Sequence, residues 1–429
     1  MDRFSIRGGR RLTGEVSVGG AKNAALVLMA AAILGRGRSV IRRVPDLSDI
    51  RLQSEILQEL GVRCERNGNG TLVLEPVDES RSKAPYKQVR KLRGSICVLG
   101  PLVGRRRRAR VSMPGGCVIG VRPIDLHIKG LRALNARVRV EHGYVVAEAP
   151  RLTGARVYLG GTYGPSVLGT ANVMMAAVLA EGRTVIECAA CEPEIEDLAK
   201  FLRKMGARIR GIGSPTLIID GVEELHGATH EVIPDRIQAI TFLVAGAITR
   251  GDVTVTDCRP EHMSAALDKL EEMGAKISRG SNWVRLRCDR RLKAAEVTTL
   301  PYPGLPTDAQ AQFMALLSVS RGAGVVTEKV FPDRFMHVAE LNRMGANIRK
   351  EGSTAVVVGV PNLSGAPVMA SDLRASAGLV LAGMAAKGRT ILRRVYHIDR
   401  GYERIEEKLR ELGARIEREP DVNGEDAEE

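Results

Sequence analysis

The sequence predicts an α/β protein of two domains assembled from six copies of one βαβαββ-type unit, and three observations predict it. One phrase recurs six times: "LQELGVRCERNGNGTLVLEPV", "LRALNARVRVEHGYVVAEAP", "LRKMGARIRGIGSPTLIIDGV", "LEEMGAKISRGSNWVRLRC", "LNRMGANIRKEGSTAVVVGV" and "LRELGARIEREP". Its turn positions, Gly61, Asn135, Gly206, Gly274, Gly345 and Gly413, lie 74, 71, 68, 71 and 68 residues apart, a regularity that marks one structural unit used repeatedly. The sixth copy lacks its last strands, and the opening "FSIRGGRRLTGEVSV" reads as the strand–turn–strand that would replace them.

Each copy justifies its elements in the same order. Apolar residues at helical spacing, such as Leu198, Leu202 and Met205, end at a glycine that can take a left-handed cap, and a strand, a turn and a second strand follow. Ahead of each such helix lies another strand ending in a loop, as in "RTVIECAACEPE" and "DVTVTDCRPE". A second helix precedes that strand, rich in Ala, Leu and Met ("TANVMMAAVLA", "AITFLVAGAIT", "ASAGLVLAGMAA"); with so few polar residues it is expected to be buried, and the amphipathic one to face water. Residues 1–21 are expected to complete a domain formed by 232–429, with 22–231 inserted as the other domain. The chain then crosses near Lys22 and Val232, and the cleft between domains becomes the expected binding site, with closure as the expected motion. The final "REPDVNGEDAEE" reads as a disordered acidic tail.

Composition narrows the function. Lys+Arg 64 against Asp+Glu 50 gives a net charge of +14, which suits nucleic acid or small anionic substrates. Aromatic residues are only 3% and do not interleave with the basic patches, so a base-stacking platform, and with it nucleic acid as a partner, is set aside. The densest basic run, Arg105–Arg108, reads as a solvated turn. No signal peptide opens the chain and no apolar stretch reaches bilayer-spanning length, so no membrane partner is expected. Seven scattered cysteines indicate no disulfide scaffold and suit a reducing cytoplasm. Cys188 and Cys191 form a CxxC pair, but no histidine or second cysteine pair stands near it at zinc-finger spacing.

The unusual residues gather in the loops. "GGAKNAA" puts Lys22 and Asn23 at the start of the first inner helix, either as a solvated turn or as an anion site made by helix N–H groups and a lysine. Arg90, Lys91 and Arg93 precede another inner helix, and Asp308 in "GLPTDAQAQF" stands where an N-cap belongs, so capping alone could explain it. "DLRAS" and "HIDRGYERI" bring Arg374 and Arg400 to equivalent loops. Arginines at matching places in repeated units point to a shared anion pocket, since the guanidinium fork suits carboxylate and phosphate. Cys117, in "SMPGGCVIGVR", reads as a buried spacer, a metal ligand, a redox partner or a reacting group; its glycine neighbours would let a loop swing, and Arg122 would lower the thiol pKa.

The phrases "GAKNAAL", "SICVLGPLV", "MPGGCVIGVRPIDLH", "EPEIEDL", "VIPDRI", "GLPTDAQAQ", "RFMHVAEL", "SDLRASAGLVLAGM" and "HIDRGYERIEEKLRELGA" together resemble the UDP-N-acetylglucosamine 1-carboxyvinyltransferase family of enolpyruvyl transferases, over about residues 4 to 416. The resemblance implies a two-domain inside-out α/β barrel with pseudo-threefold symmetry in each domain. It implies transfer of the enolpyruvyl group of phosphoenolpyruvate to the 3′-hydroxyl of UDP-N-acetylglucosamine with release of phosphate, the first committed step of peptidoglycan synthesis. No metal, cofactor or obligate protein partner is implied. Cys117 is then the acid over C3 and the residue fosfomycin alkylates, and Asp308 the base for the sugar hydroxyl. Lys22, Arg122 and Arg400 would hold the phosphate and carboxylate, Arg93 and Arg374 would line the same cleft, and Asn23 would position the sugar. Arg122, Pro123, Asp125, Leu126 and His127 would hold the uracil and diphosphate side, with Ser166, Val167, Phe331 and Asp372 as further substrate contacts.

The chain departs from the family wording in three places. Leu168 stands in "GPSVLGTAN" where glycine is expected, Gln238 and Ile240 in "DRIQAITF" where the family reads "DRIEAGTF", and Pro332–Asp333 in "FPDRF" where it reads "FENRF". Acceptor identity is what these changes bear on, so the alternative is a paralogous transferase for another uridine nucleotide or UDP-sugar.

Overall fold

A computed structural model describes residues 1–113 and 124–421; Cys117, Arg122, Pro123 and the last eight residues of the acidic tail lie outside the described residues. The chain forms two compact units. One joins Met1–Gly19 to the chain from Pro234 onward, and the other takes the chain from Gly20 to Ile233. The inserted unit thus extends two residues beyond the expected 22–231 at each end, and the segments expected as 1–21 and 232–429 are each two residues shorter. The reason is local: Asp235 N–H donates to Gly19 C=O at 3.0 Å in the first unit, and Ala21 N–H to Ile233 C=O at 2.7 Å in the second.

Each unit carries three four-stranded sheets of one design. A short strand pairs parallel with the strand that precedes the amphipathic helix, and the two strands after that helix add on antiparallel. In the second unit, for example, Thr229–Glu231 pairs parallel with Ser39–Arg42, followed by Thr71–Pro76 and then Val62–Asn67. The first unit repeats this with Val297–Thr299, Ala323–Glu328, Thr354–Val358 and Asn347–Glu351.

The start of the chain fills two places in the first unit. Asp2–Arg7 inserts between Arg389–Arg393 and Arg415–Pro420, in register Ile6 to Thr390 and Ile6 to Ile416. Thr13–Ser17 pairs parallel with Asp252–Thr256. The sixth copy therefore lacks one strand, not both: "RIEREP" forms the strand Arg415–Pro420. Arg418 anchors it, reaching Asp399 at 2.5 Å and Glu406 at 2.7 Å.

The inner helices are buried as their composition predicts. Val167–Ala177, Arg236–Ile248 and Leu373–Ala385 expose almost nothing. Glycine lets neighbouring inner helices touch backbone to backbone. A Cβ on Gly100 would come 2.2 Å from the Asn172 carbonyl oxygen, and one on Gly378 would come 2.8 Å from that of Ala311. Such contacts leave no room for a methyl group in a close-packed interior. The run Arg105–Arg108 is not a solvated turn. Arg106 is buried and donates from Nη1 to the carbonyls of Leu60, at 2.6 Å, and Arg81, while Arg107 donates to that of Leu179, so the guanidiniums tie up main-chain acceptors at a helix end.

Candidate active site

In the first unit the charged loop residues converge at the starts of two inner helices. Asp308 lies in a short 3-10 turn, Thr307–Ala309, and is not the cap residue of either element: Pro306 precedes the turn and Ala309 precedes the helix Gln310–Ser318. Capping therefore does not explain it. Its Oδ1 instead accepts from Arg334 Nη1 at 2.8 Å, and Arg374 Nε stands 3.4 Å from its Oδ2. Asp372 is the true cap of its helix, accepting from the N–H groups of Arg374 and Ala375, and lies 3.9 Å from Arg334 Nη2. The carboxylate of Asp308 is thus held between two guanidiniums, each 6% exposed or less at the side chain.

Both guanidiniums stay charged. Burial alone would lower Arg374, but Tyr402, Asp308 and Asp235 raise it above the ordinary arginine value. The same opposition holds at Arg334, where Asp308 and Asp372 overcome burial. The Arg374 guanidinium lies over the Tyr402 ring at 5.1 Å, and the Tyr402 hydroxyl is fixed by Thr241 at 2.8 Å and Gln312 at 3.2 Å. Arg374 Nη1 is buried and makes no hydrogen bond among the described residues.

Arg400 joins this group through its loop. A Cβ on Gly401 would meet Leu373 Cδ1 at 2.5 Å, which sets the 3-10 segment Val395–Arg400 against the start of the Asp372–Arg374 helix. His397 in that segment has its pKa lowered, first by burial and then by Arg400. Phe331 is half-buried, with Arg334 6.0 Å from its ring centroid. His337 is buried, and burial with Arg334 pushes its pKa down to about 4 against the pull of Asp372.

The second unit holds another group of expected residues. Lys22 is 7% exposed at the first position of the helix Lys22–Ala31, and its Nζ lies 2.7 Å from Asp49 Oδ2. It is not a solvated turn lysine. Asn23 beside it is exposed. Arg93 is half-buried and opens the 3-10 segment Arg93–Val98, which the next residue packs against the Lys22 helix: a Cβ on Gly94 would lie 3.3 Å from Leu26 Cδ1.

The expected uridine-side segments also meet. Ser166 caps the helix Val167–Ala177 through Gly169 N–H, and Leu126 lies against both Gly161 and Gly169, 3.2 and 3.7 Å from a Cβ built on each. Val167 and Leu168 are half-buried and Asp125 is exposed.

His127 differs from its neighbours, for it is 4% exposed and faces Asn172. Asn172 Oδ1 accepts from Gly100 N–H at 2.6 Å and its Nδ2 donates to Ile96 C=O at 3.0 Å, so the 2.8 Å contact to His127 Nδ1 is a donation to a neutral ring. Burial holds the His127 pKa down at about 4.

Sequence reasoning gave no role to Asp49, Arg334 or Tyr402. Asp49 looks like an ordinary acid in the first turn of an amphipathic helix, and only its burial sets it apart. Arg334 and Tyr402 stand inside quoted phrases, "RFMHVAEL" and "HIDRGYERI", without a spacing that singles them out. Of the departures, Ile240 is fully buried in the core of the first unit and Gln238 is 2% exposed, so both sit among packed side chains. Among the described residues no group of three or more His, Cys, Asp or Glu is placed to hold a metal ion, and no helix is long and apolar enough to cross a membrane.

Comparison with known proteins identifies the family and the fold. The model of the family described as EPSP synthase (3-phosphoshikimate 1-carboxyvinyltransferase) matches residues 6–409. The UDP-N-acetylglucosamine 1-carboxyvinyltransferase of Desulfosudis oleivorans is 53% identical over 97% of this chain and 99% of that protein. The crystal structure of the enolpyruvyl transferase NikO from Streptomyces tendae superposes with a TM-score of 0.86 at 26% identity, covering 97% of this chain and 98% of that one. An EPSP synthase of Acinetobacter baumannii shares the fold, with a TM-score of 0.75 at 20% identity over 98% and 100% of the two chains. The architecture is the two-domain inside-out α/β barrel. The chain belongs to the EPSP synthase family of enolpyruvyl transferases, on the branch of the UDP-N-acetylglucosamine 1-carboxyvinyltransferases.

Proposed function

We propose that the protein transfers the enolpyruvyl group of phosphoenolpyruvate to the 3′-hydroxyl of UDP-N-acetylglucosamine, with release of phosphate, as a step of peptidoglycan synthesis. The observation that carries the choice of acceptor is the 53% identity sustained along the whole chain to a UDP-N-acetylglucosamine 1-carboxyvinyltransferase. The alternative acceptors have no comparable support. The reducing cytoplasm is the compartment that fits the cysteine usage.

In this reading each residue has a stated part in the chemistry. Protonation of C3 of phosphoenolpyruvate makes C2 electrophilic, and Cys117 is the donor in this reading. The sugar oxygen bonds to C2 while its proton passes to Asp308, giving a tetrahedral adduct. Loss of a C3 proton and cleavage of the bond from C2 to the phosphate oxygen restore the double bond and free phosphate. Lys22, Arg122 and Arg400 hold the substrate phosphate and carboxylate, and Arg93 and Arg374 add fixed positive charge. Arg374 suits this role because its charge is permanent and its Nη1 keeps hydrogen-bonding capacity unused among the described residues. Asn23 positions the sugar. The segment from Arg122 to His127, with Ser166 and Val167, serves the nucleotide side, and Phe331 and Asp372 complete the contacts.

The test is phosphate release from phosphoenolpyruvate with UDP-N-acetylglucosamine, set beside UMP and other UDP-sugars. Turnover with UDP-N-acetylglucosamine alone supports the reading, turnover only with another acceptor overturns the substrate, and none with any acceptor overturns the reaction. Asp308→Asn should lower kcat by roughly 100-fold or more if Asp308 is the base. Cys117→Asp should keep turnover and lose alkylation by fosfomycin.

A further inference from the structure

We propose that Glu328 is a positioning residue, acting through Thr307 to set the direction from which Arg334 holds Asp308. Glu328 ends the strand Ala323–Glu328 and is 0% exposed, yet no lysine or arginine lies within ion-pair distance of it among the described residues. Four donors replace a cation. Its Oε1 accepts from Thr299 Oγ1 at 2.5 Å and from the N–H groups of Val330 and Phe331, each at 2.9 Å, and its Oε2 accepts from Thr307 Oγ1 at 2.8 Å. Two of these donors are main-chain N–H groups that can only donate, and each threonine hydroxyl has one proton to give.

Polarity runs one way along the chain of contacts that follows. Thr307 has a single hydroxyl proton, and it goes to Glu328. The oxygen is therefore left as acceptor, and Arg334 Nη1 donates to it at 3.1 Å. The same Nη1 donates to Asp308 Oδ1 at 2.8 Å. Glu328 thus fixes the Thr307 rotor, and the rotor fixes one side of the guanidinium that carries Asp308. On its other oxygen Glu328 holds the Val330–Phe331 turn, from which Arg334 itself emerges three residues later: Arg334 N–H donates to Phe331 C=O at 2.9 Å. Both the arginine and the loop bearing the carboxylate are tied to one buried side chain.

Misplacing a reacting group by about 1 Å costs on the order of 100-fold in rate, so loss of this tie should appear in kcat. The inference rests on Asp308 serving the reaction, and the experiment separates the two ideas. Thr307→Val removes the link while leaving the bonds of Glu328 to Val330, Phe331 and Thr299. Thr307→Ser keeps the hydroxyl. In steady-state assays of the full chain with both substrates, Thr307→Val should lower kcat roughly 10- to 100-fold. KM for the acceptor should change far less, the pH profile of kcat should shift, the melting temperature should fall only slightly as Glu328 Oε2 loses its one donor, and Thr307→Ser should restore both the rate and the melting temperature. Glu328→Gln should show the same kinetic loss together with a lower melting temperature. Wild-type kcat and pH profile in Thr307→Val, beside an inactive Asp308→Asn, would overturn the positioning role alone. A fully active Asp308→Asn would instead remove the reading on which it rests.

Discussion

Lowering the pH from 7 to 4.5 should weaken the second unit by roughly 2–3 kcal/mol through His127 alone. The folded ring titrates at about 4, against the ordinary 6.5, because it is buried and because Asn172 requires its Nδ1 as an acceptor. The folded pKa is depressed, so between these values the unfolded chain binds the proton that the folded one refuses. Stability is then complete above pH 6.5 and falls as pH drops toward 4, with a limiting slope of about 1.4 kcal/mol per pH unit. Integrated over the interval, this is on the order of 50-fold in the folding equilibrium.

The variant His127→Asn places an amide oxygen near the position of Nδ1, keeps an acceptor for Asn172 and cannot titrate. Trp283, the single tryptophan, lies in the first unit and does not report on this one. Amide-exchange protection of the helix Val167–Ala177, corrected for the intrinsic pH dependence of exchange, reads the second unit directly. Protection in the wild type should fall faster than in His127→Asn by about one decade per pH unit between pH 6 and 4.5. Parallel curves would refute the reasoning, since they would mean that the ring is protonated without cost in the folded state.

Two further perturbations follow from the same buried contacts. Asp49→Ala strips the carboxylate from Lys22, whose side chain is 9% exposed, and should destabilise the second unit by about 3–5 kcal/mol in urea titrations. Gly100→Ala forces a methyl group toward the Asn172 carbonyl, 2.2 Å from an ideal Cβ, and should cost at least about 1–3 kcal/mol, whereas alanine at exposed Gly68, with nothing near it, should leave the midpoint almost unchanged.

The fold was legible because its signal is repeated. A helix ending at Gly61, Gly206, Gly274, Gly345 or Gly413 needs a residue that tolerates positive φ, and every one of these glycines has it. Asn135 replaces glycine in the second copy with φ 69°, the substitution the left-handed region accepts most readily. The parallel first strand of each sheet was less legible. Strands such as Lys83–Ala84 and Thr229–Glu231 are two or three residues long, too short for alternation to be counted. The same limit misjudged the sixth copy, where "RIEREP" carries so much charge that its strand character is hidden. Its stability comes from pairing with Asp2–Arg7, more than four hundred residues away in sequence, and no local pattern reports such a partner.

The site was legible in its cations and obscure in the groups that hold them. Lys22, Arg374 and Arg400 announce themselves because a positive charge beside small residues at a helix start has few structural uses. Asp49, Glu328 and Asn172 give no such notice: acids and amides are common in first turns and strand ends, and only tertiary structure turns an ordinary acceptor into a buried one. Yet burial is what gives them consequence. An exposed carboxylate at Asp308 would share its arginines with water, whereas Arg334, 6% exposed at the side chain and already donating to Thr307, has little freedom to hold it in any other direction. The residues that act in this reading can be found by their chemistry. Those that aim them are found only by asking, for each buried donor and acceptor, where its hydrogen bond goes.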